Sequence, residues 1–204
     1  MAATAERLVK TLGVHVSDPR VLAAVRAVPR DRFVPEPLRD EAWENVPLPI
    51  GAGQTISQPL VVARMCELLE LRGSERVLDV GTGSGYHAAL LARLAGWVWS
   101  LELHAELSRQ AAANLAAASV TNVTLLVGDG RRGLPQEAPF DAINVAAAAA
   151  GRVPPELEDQ LAVGGRLVAP VVGDDQRLIV ERRTEDALER QTHERVRFVP
   201  LVGG

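Results

Sequence analysis

Two short stretches bring together groups that can do chemistry. The first, "GTGSGY" at residues 81–86, follows the apolar run "RVLDV" directly and opens a helical pattern. Glycines at a strand-to-helix turn let the backbone bend sharply and let a ligand come close, while the first helical turn offers unpaired N–H donors. Tight turns also use glycine for packing alone, so the triplet needs corroboration. Two carboxylates supply it. Glu102 ends the next strand pattern, "WVWSLE", where an acid can accept from ribose hydroxyls, and Asp129 ends the following one in "VGDG", placed to accept from the exocyclic amine of an adenine. All three features fall at the C-terminal ends of successive strand patterns, the edge at which doubly wound sheets bind ligands.

The spacing separates two ligand classes. Gly81, Gly83 and Gly85 run Gly-x-Gly-x-Gly instead of the Gly-x-Gly-x-x-Gly of dinucleotide binders, and Asp79 stands two residues before the first of them. Beside a pyrophosphate that carboxylate would be repulsive by about 4 kcal/mol at 4 Å for an effective dielectric of 20. S-adenosylmethionine has no phosphate and carries an ammonium and a sulfonium, so the same carboxylate becomes favourable. The residues fit a methyl donor better than a nicotinamide dinucleotide.

The second stretch, "GAGQTISQP" at residues 51–59, sets two glycines, an amide and two hydroxyls together with no neighbouring histidine, cysteine or carboxylate. A nucleophilic serine needs a base close by, and none is visible locally. Either Thr55 and Ser57 meet a substrate as hydrogen-bonding groups, or they cap the helix that begins near Pro59. Both readings stand at this level.

The elements that must position these groups follow from periodicity. "ATAERLVKTL" and "DPRVLAAVRAV" read as helices, the second with Asp18 as N-cap and Pro19 at its first position. Five prolines between residues 29 and 49 then exclude long helix. From Pro59 onward helix and strand patterns alternate: "LVVARMCELLEL", "RVLDV", "GYHAALLARLA", "WVWSLEL", "AELSRQAAANLAAA", "NVTLLVGD" and "FDAINVAAA". A short helix at "PPELEDQL" and strands at "GGRLVAPVV", "QRLIVERRT" and "RQTHERVRFVP" complete the chain. This alternation predicts an α/β fold with a mostly parallel, doubly wound sheet, and the last two strands, with no helix between them, an antiparallel pair. One domain spans residues 1–204, with residues 1–58 a helical, proline-rich extension and 59–204 the cofactor-binding core.

Composition bounds the partners. The chain has 204 residues, with 22 basic against 26 acidic side chains and no basic stripe, so nucleic acid is not expected. No apolar run reaches the ~20 residues of a membrane span and no signal peptide is visible, which predicts a soluble, cytoplasmic protein, taken as a monomer. The lone cysteine, Cys66, sits in an apolar helical pattern and reads as core. His15, His87, His104 and His193 show no metal spacing; His87 and His104 follow the glycine-loop and Glu102 motifs but read as packed or solvated side chains.

The segments "VPRDRFVPEPL", "PLPIGAGQTISQP", "VLDVGTGSGY", "GDGRRGLPQEAPFDAI", "QLAVGGRLVAPV" and "VRFVPLVGG" resemble the protein-L-isoaspartate O-methyltransferases from about Val28 to the end of the chain. The glycine loop is common to many methyltransferases, whereas Gly-x-Gly-Gln-Thr-Ile-Ser is specific to this family. The resemblance implies a Rossmann-like class I methyltransferase with S-adenosylmethionine as cofactor. It makes Ser57 the active-site hydroxyl with Thr55 beside it. Thr55 and Ile56 would line the space between cofactor and substrate, and Asp79, Gly81, Thr82, Gly83 and Gly85 would hold the methionine end. Glu102 and Leu103 would meet the ribose, and Asp129 with Gly130 the adenine. No metal is implied.

The implied reaction is methyl transfer to the free α-carboxylate of an L-isoaspartyl residue in a damaged peptide or protein; the ester then closes to a succinimide, whose hydrolysis returns some aspartate. A carboxylate of pKa near 4 is already ionised at neutral pH, so the missing base is consistent with this chemistry. Two alternatives remain at this level: a carboxylate methyltransferase acting on a dedicated biosynthetic peptide or small molecule, and a module that binds the cofactor without turnover. The first is motivated by the loop "NVAAAAAGRVPPEL", which has Ala150 where the family pattern has proline.

Overall fold

The computed structural model describes residues 4–203. Helices α1 (Ala5–Leu12) and α2 (Pro19–Ala27) lead the chain. Asp18 caps α2 as its position predicts, its carboxylate accepting from the Arg20 N–H at 2.8 Å, and Pro19 takes the first helical position, where a missing N–H breaks no hydrogen bond. The proline-dense segment compacts into two short 3-10 turns, Arg30–Phe33 and Glu36–Glu41. Two strands absent from the sequence reading follow, β1 (Leu48–Gly51) and β2 (Gln54–Ile56), paired as an antiparallel hairpin. Helix α3 (Pro59–Leu68) leads into the sheet and buries Cys66 as read, at 1% exposure.

The remaining elements are β3 (Arg76–Val80), α4 (Tyr86–Leu94), β4 (Trp97–Glu102), α5 (Ala105–Ala117), β5 (Val123–Val127), β6 (Phe140–Val145), β7 (Ala149–Ala150), α6 (Pro155–Asp159), β8 (Leu161–Val172), β9 (Gln176–Arg183) and β10 (Leu188–Arg195). The sheet order is β5-β4-β3-β6-β8-β9-β10, with β7 beside the end of β8. Strands β3, β4, β5, β6 and β8 are parallel; β9 and β10 are the expected antiparallel pair, and β9 is also antiparallel to β8. From β3 the chain works outward to β4 and β5, and from β6 outward the other way. The crevice above β3 and β6 is therefore the topological switch point.

Both faces of the sheet are covered, which is why "RVLDV" reads as a continuous buried run. Val77 faces a core built with α1 to α4 and the hairpin, whereas Leu78 and Val80 face a second core with Ile143, Val145, Leu157 and Leu167. Asp79, on the Val77 face, is buried with them. The last strand pattern continues to Pro200 in sequence, yet β10 stops at Arg195. A register shift between Thr192 and Arg195 breaks the ladder and bends the chain away. The freed tail crosses back over the switch point, where Ala148 N–H donates to Val199 O and Leu201 N–H donates to Ala148 O, each at 2.8 Å. Among the described residues no helix is long and apolar enough to cross a membrane.

Candidate active site

The stretch at residues 51–59 is organised by its turn. Gly51, Ala52 and Gly53 have φ of 96°, 49° and 69°, and Ala52 and Gly53 are the two-residue loop between the paired Gly51 and Gln54. A loop with positive φ at both centres has the twist that closes a hairpin. β2 then points Ile56 into the core at 4% exposure and leaves Thr55 exposed. The exit of β2 is held by Arg30, which is fully buried and donates to the carbonyls of Ser57 (2.9 Å), Ala42 (2.9 Å) and Val46 (3.3 Å). Its guanidinium also lies 5.4 Å from the Tyr86 ring centroid. Burial lowers the Arg30 pKa to about 10, so it stays charged at neutral pH.

The structure decides between the two readings of the hydroxyls. The first turn of α3 is capped from elsewhere, by Asn45 Oδ1 accepting from Leu60 N–H at 3.0 Å. Among the described residues neither Ser57 Oγ nor Thr55 Oγ1 has a hydrogen-bond partner. Both are free for a ligand.

The glycine loop turns above β3 with φ of 96° at Gly81, 53° at Gly83 and 89° at Gly85. A Cβ on Gly81 would stand 3.5 Å from Ala146 across the crevice, so the bare backbone keeps the switch point open. Gly85 has a different role: it begins α4, and its missing side chain admits Ala111 and Leu115 of α5 to 3.3 Å. Glu102, 6% exposed, is oriented by two amides, Gly83 N–H at 2.8 Å and His104 N–H at 3.0 Å. Each of its oxygens keeps a lone pair for further donors.

Asp79 lies beneath this surface. It is fully buried and accepts from Ser100 Oγ at 2.6 Å and Asn144 Nδ2 at 2.7 Å; Thr82 Oγ1 meets the same serine hydroxyl at 2.6 Å. Burial pushes its pKa up to about 6, against the pull of the Ser100 and Asn144 hydrogen bonds. Asp129 is engaged as well: Arg131 donates to it from its backbone N–H at 3.0 Å and from its guanidinium at 2.7 Å, which holds the carboxyl below its usual range. Gly130 beside it is required, because a Cβ would meet Val80 Cγ1 at 2.4 Å.

Three neighbouring cavities occupy the switch point. The first is walled by Gln54, Thr55, Gly81, Gly83, Glu102, Leu103, His104 and Gly130, and roofed by Val199, Pro200, Leu201 and Val202. The second, of about 350 Å³, is walled by Thr55, Ser57, Gln58, Arg195, Arg197 and Phe198. The two share Thr55, Ala146 and Val199. A third, small one lies under the loop between Ser57, Thr82 and His87. Thr55, Ile56, Ser57, Gly81, Thr82, Gly83, Glu102, Leu103 and Gly130 thus converge, while Asp79, Gly85 and Asp129 stand behind the walls. Sequence reasoning missed Arg30, Asn45, Arg197 and the roofing tail. "VRFVPLVGG" carried the resemblance, but nothing in its pattern says that it folds back.

The sequence profile of the family "Protein-L-isoaspartate(D-aspartate) O-methyltransferase" matches residues 3–204. The chain belongs to this family. The enzyme is 53% identical over 191 residues to "Protein-L-isoaspartate O-methyltransferase 1" of Rhodopseudomonas palustris (strain HaA2), covering 92% of this chain and 78% of that protein. A solved protein-L-isoaspartate O-methyltransferase superimposes with a TM-score of 0.86 at 26% identity over 98% of this chain, which spans 66% of the length of that structure. One from Plasmodium falciparum in complex with S-adenosyl-L-homocysteine gives 0.84 at 25% identity, covering 98% and 99% of the two chains. The enzyme is an S-adenosylmethionine-dependent carboxyl O-methyltransferase of the isoaspartyl-repair family. Its walls fit that cofactor: Glu102 keeps lone pairs for ribose hydroxyls, and Tyr86 Oη and His87 Nε2, buried polar atoms without partners, belong to residues that bound the small cavity.

Proposed function

We propose that the cavity under the tail holds S-adenosylmethionine and that the 350 Å³ cavity beside it receives the isoaspartyl α-carboxylate, with Ser57 as its positioning hydroxyl. The observation that carries this reading is the shared wall of Thr55, Ala146 and Val199: donor and acceptor meet where Thr55, two residues before Ser57, separates them. Bound cofactor supplies a sulfonium methyl. The chain supplies placement: Glu102 accepts from ribose hydroxyls, Leu103 and Gly130 flank the nucleoside, and Gly81 with Gly83 admit the methionine end. Ser57 donates one hydrogen bond to a carboxylate oxygen, fixing its plane without neutralising it as a tight arginine pair would. Asp79 acts through Ser100 and Asn144, and Asp129, held by Arg131, orders the Gly130 turn that borders the adenine end.

No side chain in either cavity needs to take a proton from the acceptor, which arrives ionised. Holding reactants near attack geometry contributes up to ~7–11 kcal/mol of barrier reduction. Attack disperses charge, so a poorly hydrated site helps, and the tail provides the cover. Arg195 and Arg197 line the acceptor cavity; Arg195 is paired with Asp175, and Arg197 is the cation that suits an anionic peptide group. The residues named in both cavities come from one chain, which supports a monomer; light scattering of the eluted protein tests that. The deciding test of the site is Ser57→Ala, which should lower turnover of an isoaspartyl peptide and leave cofactor affinity intact.

A further inference from the structure

The small cavity below the glycine loop, about 40 Å³, is bounded by Ser57, Thr82, Ser84, Tyr86 and His87. That is room for a water or a single polar group. His87 is 7% exposed, and its Nε2 has no hydrogen-bond partner. An unpaired buried donor is costly, so this atom calls for a ligand.

The network fixes what that atom offers. Asn144 Nδ2 lies 2.7 Å from Asp79 Oδ1 and 3.2 Å from His87 Nδ1. Turning the amide over would set its oxygen against a carboxylate oxygen, so the nitrogen faces Asp79 and gives its second hydrogen to His87. Nδ1 is then an acceptor and the imidazole proton sits on Nε2, an unpaired donor on a side chain that lines the cavity. Asn144 Oδ1 is left as a buried, unpaired acceptor beside it. A single fixed donor on a residue of the cavity wall is the complement of one carboxylate oxygen.

We propose that His87 Nε2–H binds the carboxylate of the cofactor's methionine end. This rests on the reading that the glycine loop and Glu102 hold the cofactor, and it adds a binding residue on the first turn of α4. Burial holds the His87 pKa down to about 3, so the imidazole stays neutral and keeps one fixed donor across the working pH range.

The test is calorimetric titration of wild type, His87→Leu and His87→Gln with two probes: S-adenosylhomocysteine, and S-adenosyl-3-thiopropylamine, which has the same thioether and amine but no carboxylate. His87→Leu is expected to weaken S-adenosylhomocysteine by roughly ten- to a hundredfold and to leave the thiopropylamine unchanged. His87→Gln, which keeps an N–H donor, recovers part of the loss. Equal weakening of both probes, or of neither, overturns the inference. Should the leucine variant not fold, the Nε2–H resonance of His87 in wild type decides: it moves with S-adenosylhomocysteine and not with the thiopropylamine, and indifference to both overturns the proposal. Wild type that binds neither probe overturns the cofactor reading and this inference with it; normal binding with unaffected His87 variants overturns this inference alone.

Discussion

In the proposed site Ser57 contributes one hydrogen bond. Its carbonyl is tied to Arg30 at 2.9 Å, its hydroxyl is unpaired, and the cap it might have served belongs to Asn45. Ser57→Ala is therefore predicted to lower kcat/KM for an isoaspartyl peptide by roughly ten- to a hundredfold, the worth of a hydrogen bond to a charged group, with S-adenosylhomocysteine affinity and thermal midpoint unchanged. Asn45→Ala should do the opposite, costing about 1 kcal/mol of stability in denaturant melts with less effect on turnover in the folded fraction. Asp79 gives a prediction in pH. Its carboxyl is raised to about 6 by burial, and a nearby ammonium favours its ionised form. Cofactor binding should therefore release protons around pH 6, and affinity should fall as pH drops below that value. Calorimetry in two buffers of different ionisation enthalpy measures the release, and Asp79→Asn should abolish it. In stability the sign is reversed: between its ordinary value and 6 the folded state binds the extra proton, so this group's contribution falls as pH rises through that window.

Among the elements, the hairpin and the tail contribute most to the site, and the sequence shows each poorly. β1 and β2 are four and three residues long, too short for periodicity, and their one local signal is the Gly-Ala-Gly that permits positive φ at Ala52 and Gly53. The tail reads as strand because Val196, Phe198 and Leu201 are apolar, but the register break before Arg195 is a tertiary event with no pattern of its own. By contrast "RVLDV", the glycine loop and Glu102 were legible because burial on both faces, a turn and a strand end each leave a local mark. Deleting residues 199–204 removes the roof of the cavity proposed for the cofactor, and it is predicted to weaken S-adenosylhomocysteine binding by at least about tenfold, the loss of ~1.4 kcal/mol or more of contact. An unaltered dissociation constant would show that the tail is only a cover. Gly85→Ala tests the loop as packing: at φ 89°, with α5 atoms at 3.3 Å, it should cost about 1–3 kcal/mol of stability, read from the shift in urea midpoint.

At the scale of the molecule, the sheet order β5-β4-β3-β6-β8-β9-β10 sets the crevice between β3 and β6, and everything chemical follows from what crosses it. The α/β class, the parallel core and the antiparallel end followed from alternating periods, and the convergence of Thr55, Ser57, Gly81, Glu102 and Gly130 followed from motifs. The engagement of Asp79 and Asp129 by protein groups did not, because a carboxylate in sequence does not say which donors will reach it. Arg30 was equally invisible: a lone arginine in a proline-rich stretch gives no sign of being fully buried under three carbonyls. The account as a whole makes the acceptor an α-carboxylate presented by an isoaspartyl kink in a peptide. The most direct measurement is transfer of labelled methyl from S-adenosylmethionine to paired peptides that differ only in an isoaspartyl or an aspartyl linkage. The account predicts labelling of the isoaspartyl peptide and essentially none of its partner; equal labelling of the two, or none of the isoaspartyl peptide, would contradict it.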